Sequence, residues 1–206
     1  MVELIKVNPK NPDPEVIRKA QRFITEGKLV IFPTDTVYGL AADPFNENAV
    51  IHLLKVKQRD TDKGLPVLIA NLDMARELVQ FSPMALSIAS KFWPGALTLV
   101  LPIKKTISEL VTGYRNSLGI RIPNLTVAKQ LAEIPIIGTS ANISGQNSPI
   151  TADDAIEQLG VSVDLVLDCG PTREGLPSTI IDLTGKTPKL VREGAIKFAK
   201  LDPFLF

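Results

Sequence analysis

Four cations fall within nine residues, at Lys55, Lys57, Arg59 and Lys63, diluted by Asp60 and Asp62, where a helical pattern gives way to a loop. Two residues apart on a helix, Lys57 and Arg59 would point in different directions; in extended chain they would share a face. A converging Lys and Arg suit nucleotide phosphates, the Arg as a planar fork and the Lys as a point charge. The plainer alternative is a solvated basic helix end that complements the helix dipole. A second candidate, Ser140 with Asn142, stands just past a short apolar run, and small Ala141 between them lets both face one way. Ligands of open α/β sheets bind beyond the carboxyl ends of strands, where a hydroxyl and an amide can orient a substrate without moving a proton. A turn whose side chains bond nearby backbone is the competing account, and Ser144-Gly145 downstream supports it.

Thr34 to Leu40 offers two hydroxyls, a carboxylate and a phenol after another apolar run, with Gly39 permitting a close backbone approach. It reads equally as a polar turn with Tyr38 packed into the core. Arg121 interrupts the apolar run Leu118-Gly119-Ile120-Arg121-Ile122. A buried guanidinium without a partner is costly, so it must meet a carboxylate, from the protein or from a ligand. Other chemistry is missing. There is no Walker loop, no G-x-G-x-x-G, and no metal-ligand spacing around the one histidine, His52. No serine is marked as a triad partner for it. The single cysteine, Cys169, reads as a small apolar residue at a strand end.

These residues need a scaffold, and the hydrophobic periodicity supplies one. Pro14 opens a helix whose apolar face is Val16, Ile17, Ala20, Phe23 and Ile24, stopped by Gly27. Further helices are expected from about Asn46 to Lys57, over Leu72–Val79, after the cap Ser82-Pro83 to near Trp93, over Leu125–Ala132, and from the cap Thr151 to Gly160. Strands are expected at Leu29–Phe32, Leu65–Ala70, Ala96–Leu101, Leu118–Ile122, Ile134–Gly138, Val163–Leu167, Thr179–Leu183 and Lys189–Val191. The alternation predicts an α/β fold, a twisted sheet with helices on its faces, without revealing strand order.

The 206 residues suit one domain, and a 45% hydrophobic content can fill its core. A formal net charge of +1 argues against a dedicated nucleic-acid binder. One cysteine points to a reducing compartment. Met1 to Asn11 lacks the layout of a signal peptide, and no apolar stretch approaches the roughly 20 residues of a membrane span, so a cytoplasmic location without a membrane partner is expected.

Taken together, several segments resemble the YrdC family, which makes threonylcarbamoyl-adenylate: Phe32-Pro-Thr-Asp-Thr-Val-Tyr-Gly-Leu40, Lys57-Gln-Arg59, Asp62-Lys-Gly-Leu65, Trp93-Pro-Gly-Ala-Leu-Thr98, Gly119-Ile-Arg-Ile-Pro123, Thr139-Ser-Ala-Asn-Ile-Ser-Gly145, Ser178-Thr-Ile-Ile-Asp182 and Val191-Arg-Glu-Gly194. They run in family order from about residue 13 to 195, within one YrdC-like domain over 1–206, and imply a mixed sheet with a large concave substrate cleft. The resemblance implies condensation of L-threonine, bicarbonate or carbon dioxide, and ATP, with release of pyrophosphate. The product would pass to a separate threonylcarbamoyl transferase complex that modifies tRNA, and weak tRNA binding is a further partner it allows.

The family's K-x-R and S-x-N signatures fall on Lys57, Arg59, Ser140 and Asn142, which the resemblance makes the catalytic set. It puts ATP against Arg59, Lys63, Ser117, Asn142, Ser148 and Arg192, with Mg²⁺ accompanying the ATP. Threonine would lie against Thr34, Thr36, Arg121, Ser140 and Ser178. At Leu68 some relatives carry a histidine. No protein metal site and no organic cofactor is implied. Two other classes compete: a non-catalytic RNA- or nucleotide-binding module, and a hydrolase of the adenylate such as a YciO-like relative, a branch that departs from the K-x-R/S-x-N set.

Overall fold

The computed structural model describes residues 2–204. The first half of the chain forms β1 (Glu3–Lys6), α1 (Pro14–Thr25), β2 (Val30–Phe32), β3 (Gly39–Ala42), α2 (Glu47–Lys57), β4 (Val67–Leu68), α3 (Leu72–Leu78), α4 (Pro83–Phe92) and β5 (Leu97–Pro102). There follow α5 (Glu109–Thr112), β6 (Ser117–Arg121), α6 (Thr126–Leu131), β7 (Ile136–Ser140), α7 (Ala152–Leu159), β8 (Leu165–Asp168), β9 (Thr179–Asp182), β10 (Lys189–Arg192) and α8 (Phe198–Leu201). The helix starts obey local chemistry. Asp13 accepts the Glu15 N–H ahead of Pro14, Ser82 caps α4 ahead of Pro83, and Thr151 with Asp154 forms a reciprocal capping box on α7. Gly27 ends the first helical segment at φ 82°, a conformation costly to residues with a Cβ.

All ten strands join one sheet in the order β1-β8-β2-β3-β7-β4-β6-β5-β9-β10. It is mixed: β1 and β2 run parallel to β8, β4 to β6 and β5 to β9, while the β2–β3, β3–β7, β4–β7, β5–β6 and β9–β10 pairs are antiparallel. The expected α/β architecture holds.

Strand alternation splits the apolar residues between the two faces. On one face Ile31, Leu40, Val67, Leu99, Ile120 and Ile137 pack with residues of α2, α3, α4 and α7, such as Leu53, Leu78, Ile88 and Leu159. On the other, Val30, Phe32, Leu68, Ile136, Leu165 and Leu167 pack beneath α1 (Ile17, Ala20, Ile24) and α6 (Val127, Ala128, Leu131). That second helical cover stops partway along the sheet. Beyond it Thr98 and Val100 of β5, Gly119 and Arg121 of β6, Gly138 and Ser140 of β7 and Ile180 of β9 line a cleft.

Several expectations need correction. β1 and β3 were not anticipated as strands, nor were α5 and α8 as helices. Exposed β1 has no buried apolar pattern, and Gly39-Leu40-Ala41-Ala42 carries little strand propensity. The strand expected over Leu65–Ala70 keeps a ladder only at Val67–Leu68, although Pro66 O and the Ile69 N–H still bond its neighbours. The strand expected over Ile134–Gly138 begins after Pro135 and extends to Ser140, so Ser140 closes the strand instead of following it.

Candidate active site

The turn between β2 and β3 forms one wall. Thr34 Oγ1 accepts the N–H groups of Thr36 (3.0 Å) and Val37 (3.2 Å) and bonds Thr36 Oγ1 (2.8 Å), which folds the hydroxyl-bearing segment tightly on itself. Tyr38 is fully buried and locks the turn to the end of β8: its phenol donates to Gly170 O (2.8 Å) and accepts from the Cys169 N–H (3.1 Å). Burial of that phenol pushes its pKa well above the ordinary tyrosine value. The core alternative for Tyr38 is therefore the correct one. Burial, reinforced by Asp168, also pushes the Cys169 thiol up to about 11, so it is no ready nucleophile.

Arg121, 5% exposed, finds its carboxylate within the protein. Its Nη2 donates to Asp35 Oδ1 (2.6 Å), its Nη1 to Thr36 Oγ1 (3.0 Å) and its Nε to Gly95 O (2.8 Å). Across the cleft, Arg192 donates from Nε (3.1 Å) and Nη2 (2.8 Å) to Ser178 O, while Ser178 Oγ and Thr98 Oγ1 lie 2.9 Å apart. Arg59 folds back over its own loop, bonding Lys63 O (3.3 Å) and Gly64 O (3.0 Å). Burial lowers the pKa of all three guanidiniums, and the charges of Arg59 and Arg121 lower that of Arg192 further. Arg192 thus lies close enough to the other two cations to feel their charge, whereas Arg121 is offset by Asp35 and Arg59 by Asp60 and Asp62.

Thr34, Thr36, Arg59, Arg121, Ser140, Ser178 and Arg192 thus line one hollow, together with Gly39, Gly138 and Leu68, and no carboxylate is part of that lining. The glycines are needed there, since a Cβ on Gly39 would sit 2.9 Å from the Phe32 ring and one on Gly138 2.4 Å from Leu68 Cγ. An adjoining hollow shares Arg59, Gly64, Pro66 and Ile180 with the first; Lys63, Arg115 and Ser117 edge it, and Leu65, Val100, Val111 and Val191 make it more apolar. The sequence reading missed Arg115, which stands in an ordinary polar loop before β6, and it missed Asp35 as the partner of Arg121.

Lys57 departs from expectation. It is the last residue of α2, and Gln58 in the left-handed conformation (φ 49°) turns the chain sharply before Arg59. The two cations therefore do not share a face. Lys57 is 1% exposed and runs beneath the turn that follows β7, donating to Ser140 O (2.5 Å) and Asn142 O (2.7 Å). Burial, with the nearby Arg59 charge, lowers its pKa to about 7. Nor is Asn142 part of the lining. Its Nδ2 donates to Ile143 O and Gln146 O, both 2.8 Å, and its buried Oδ1 has no partner among the described residues. Ser148 lines neither hollow. His52 is exposed on α2. Among the described residues no cluster of three or more His, Cys, Asp or Glu could hold a metal, and no helix is long and apolar enough to cross a membrane.

The fold is a mixed α/β sheet with one partly uncovered face, on which guanidiniums and hydroxyls converge without a lining acid, a charge arrangement complementary to small anions. The Sua5–YciO–YrdC family model, described as "Telomere recombination", matches residues 22–194, and the chain belongs to that family. It is 40% identical over 190 residues to a threonylcarbamoyl-AMP synthase of Pyrococcus abyssi, covering 90% of this chain and 56% of that relative. It is 34% identical over 201 residues to a putative threonylcarbamoyl-AMP synthase of Methanocaldococcus jannaschii, covering 97% and 96%. The chain therefore spans just over half of the first relative and nearly all of the second. Among solved structures, P. abyssi Sua5 complexed with L-threonine superposes with a TM-score of 0.93 at 38% identity, over 98% of this chain and 60% of that one. E. coli YciO gives 0.89 at 25% identity, over the whole of both chains.

Proposed function

We propose that this chain is a threonylcarbamoyl-AMP synthase, joining L-threonine, bicarbonate or carbon dioxide, and ATP, with pyrophosphate as leaving group. The observation that carries this reading is the meeting of Arg59, Arg121 and Arg192 with Thr34, Thr36, Ser140 and Ser178 around a hollow that no carboxylate lines. Such a site asks for anions and offers no strong nucleophile, which suits a reaction driven by positioning and charge neutralisation.

In this reading Arg59, Lys63 and Arg192 hold the phosphates of ATP, and Ser117 sits in the more apolar adjoining hollow with the nucleoside. Threonine occupies the end formed by Thr34, Thr36, Arg121, Ser140 and Ser178. The threonine amine adds to carbon dioxide and loses a proton, giving a carbamate. A carbamate oxygen then bonds to the α-phosphorus while the bond to the β-phosphate bridging oxygen breaks and pyrophosphate departs. Lys57 serves from below, fixing the Ser140–Asn142 turn through two backbone carbonyls. The acceptor capacity of Asn142 Oδ1 is unused, and Ser148, outside both hollows, would reach ATP only at its periphery. Mg²⁺ would accompany the ATP and help neutralise its phosphate charge beside Arg59, Lys63 and Arg192. A cytoplasmic location, weak tRNA contact and transfer of the product to a separate tRNA-modifying complex belong to the same proposal.

The test is direct. The purified chain is incubated with L-threonine, bicarbonate and Mg-ATP, and pyrophosphate and the adenylate are followed by chromatography. Threonine-dependent formation of both supports the synthase. Hydrolysis of preformed adenylate without synthesis would replace the reading with a hydrolase. Salt-sensitive RNA binding without ATP turnover would replace it with a binding module.

A further inference from the structure

The geometry points to Asp35 as the positioning residue that makes Arg121 a receptor for the amino-acid carboxylate, an inference that rests on the synthase reading and deepens it. Asp35 is 8% exposed and stands behind Arg121, outside the hollow. Its Oδ1 receives two donors, Arg121 Nη2 at 2.6 Å and the Asn124 backbone N–H at 3.1 Å. Its own carbonyl accepts the Glu174 N–H at 3.3 Å. The carboxylate is thus fastened by β6 itself and by the chain leaving it, while the Asp35 backbone is tied to the segment leading into β9.

A guanidinium has five N–H donors in one plane. Gly95 O, Thr36 Oγ1 and Asp35 Oδ1 take one each, from Nε, Nη1 and Nη2. One N–H on each η nitrogen is left, and Arg121 is part of the hollow lining. The three protein acceptors fix the plane of the guanidinium, and the remaining N–H on each η nitrogen stays available to carboxylate oxygens. Asp35 is the only charged member of the set. It compensates the Arg121 charge from behind, which lets that buried cation persist beside Arg59 and Arg192 before any substrate arrives. Without it, Arg121 would keep neutral acceptors only, and repulsion from the other two guanidiniums would loosen its orientation.

The test uses Asp35→Asn in the full chain, an isosteric change that retains an acceptor oxygen but loses the charge. The KM for L-threonine is expected to rise roughly 10- to 100-fold, the range lost with a hydrogen bond to a charged group, with kcat and the KM for ATP within about threefold. A merely structural role would leave both KM values alone and lower kcat with the folded fraction, and that result would overturn the inference. A double-mutant cycle with Arg121→Leu gives the second readout: the double variant should match Arg121→Leu alone, because Asp35 acts through it, whereas additive KM effects would also overturn the inference. Should Asp35→Asn fail to fold, Asp35→Ser, smaller and still an acceptor, takes its place in both measurements. A wild-type chain that makes no adenylate at all would count against the synthase reading itself; an active wild type with an unmoved threonine KM in the variant counts against Asp35 only.

Discussion

Replacing Lys57 by methionine separates two opposing effects of one buried ammonium, and pH decides which dominates. The side chain is 1% exposed and bonds Ser140 O and Asn142 O. Removing it leaves two buried carbonyls short of a donor, at about 1–3 kcal/mol each. Against that stands the cost of burying the charge, expressed in a pKa lowered from 10.5 to about 7. The sign follows from proton counting. Below pH 7 both folded and unfolded chains carry the proton, and the burial penalty is fully present. Between about 7 and 10.5 the unfolded chain holds a proton that the folded chain has released, so stability rises with pH toward a limiting slope of about 1.4 kcal/mol per unit. From pH 7 to 9.5 wild type should therefore gain about 3 kcal/mol that the variant cannot gain. The expected outcome is near-equal stability of the two proteins at pH 7 and a clear deficit in Lys57→Met at pH 9.5. Urea melts at matched ionic strength across that range read it directly. A stability difference that stays flat between pH 7 and 9.5 refutes the argument, since it would mean that Lys57 is not desolvated beneath the turn.

Three other substitutions probe the remaining parts. Arg59→Ala should lower pyrophosphate release on the order of 100-fold with an unchanged melting curve, because its protein bonds are confined to Lys63 O and Gly64 O; near-normal turnover removes Arg59 from the phosphates. Arg121→Leu should raise the threonine KM steeply and also cost about 3–5 kcal/mol, as Asp35 is left buried without its cation; saturation kinetics and a thermal melt check the two effects. Gly138→Ala should destabilise by about 1–3 kcal/mol, since the new Cβ lands 2.4 Å from Leu68 Cγ, and adding Leu68→Ala should recover part of the loss; equal melts for the single and double variants would refute the clash.

What the sequence revealed follows the range of the interactions involved. Caps, glycine stops and apolar periodicity are local, so the helix starts at Asp13, Ser82 and Thr151 were legible, as was the need of Arg121 for a carboxylate. That Asp35 answers that need was not, because the partners are 86 residues apart and meet only through strand order. Lys57 was misread for a different reason. A lysine at a helix end is ordinarily solvated, and nothing in its neighbours shows that the turn after β7 would close over it. β3 escaped notice because Gly39-Leu40-Ala41-Ala42 carries little strand propensity, Gly39 being held by the closeness of the Phe32 ring and the two alanines packing into the core.

The partly uncovered sheet face has a consequence for how this chain can fail. The hollow takes its wall from Thr34 and residues 36–39, its cations from 59, 121 and 192, and further hydroxyls from 140 and 178, so strands from the middle of the sheet to its far edge must all be in place before it exists. A half-zipped intermediate that lacks any of these strands lacks part of the lining. Loss of catalysis in denaturant should then follow the same cooperative curve as loss of the whole fold, making turnover a faithful gauge of the intact molecule.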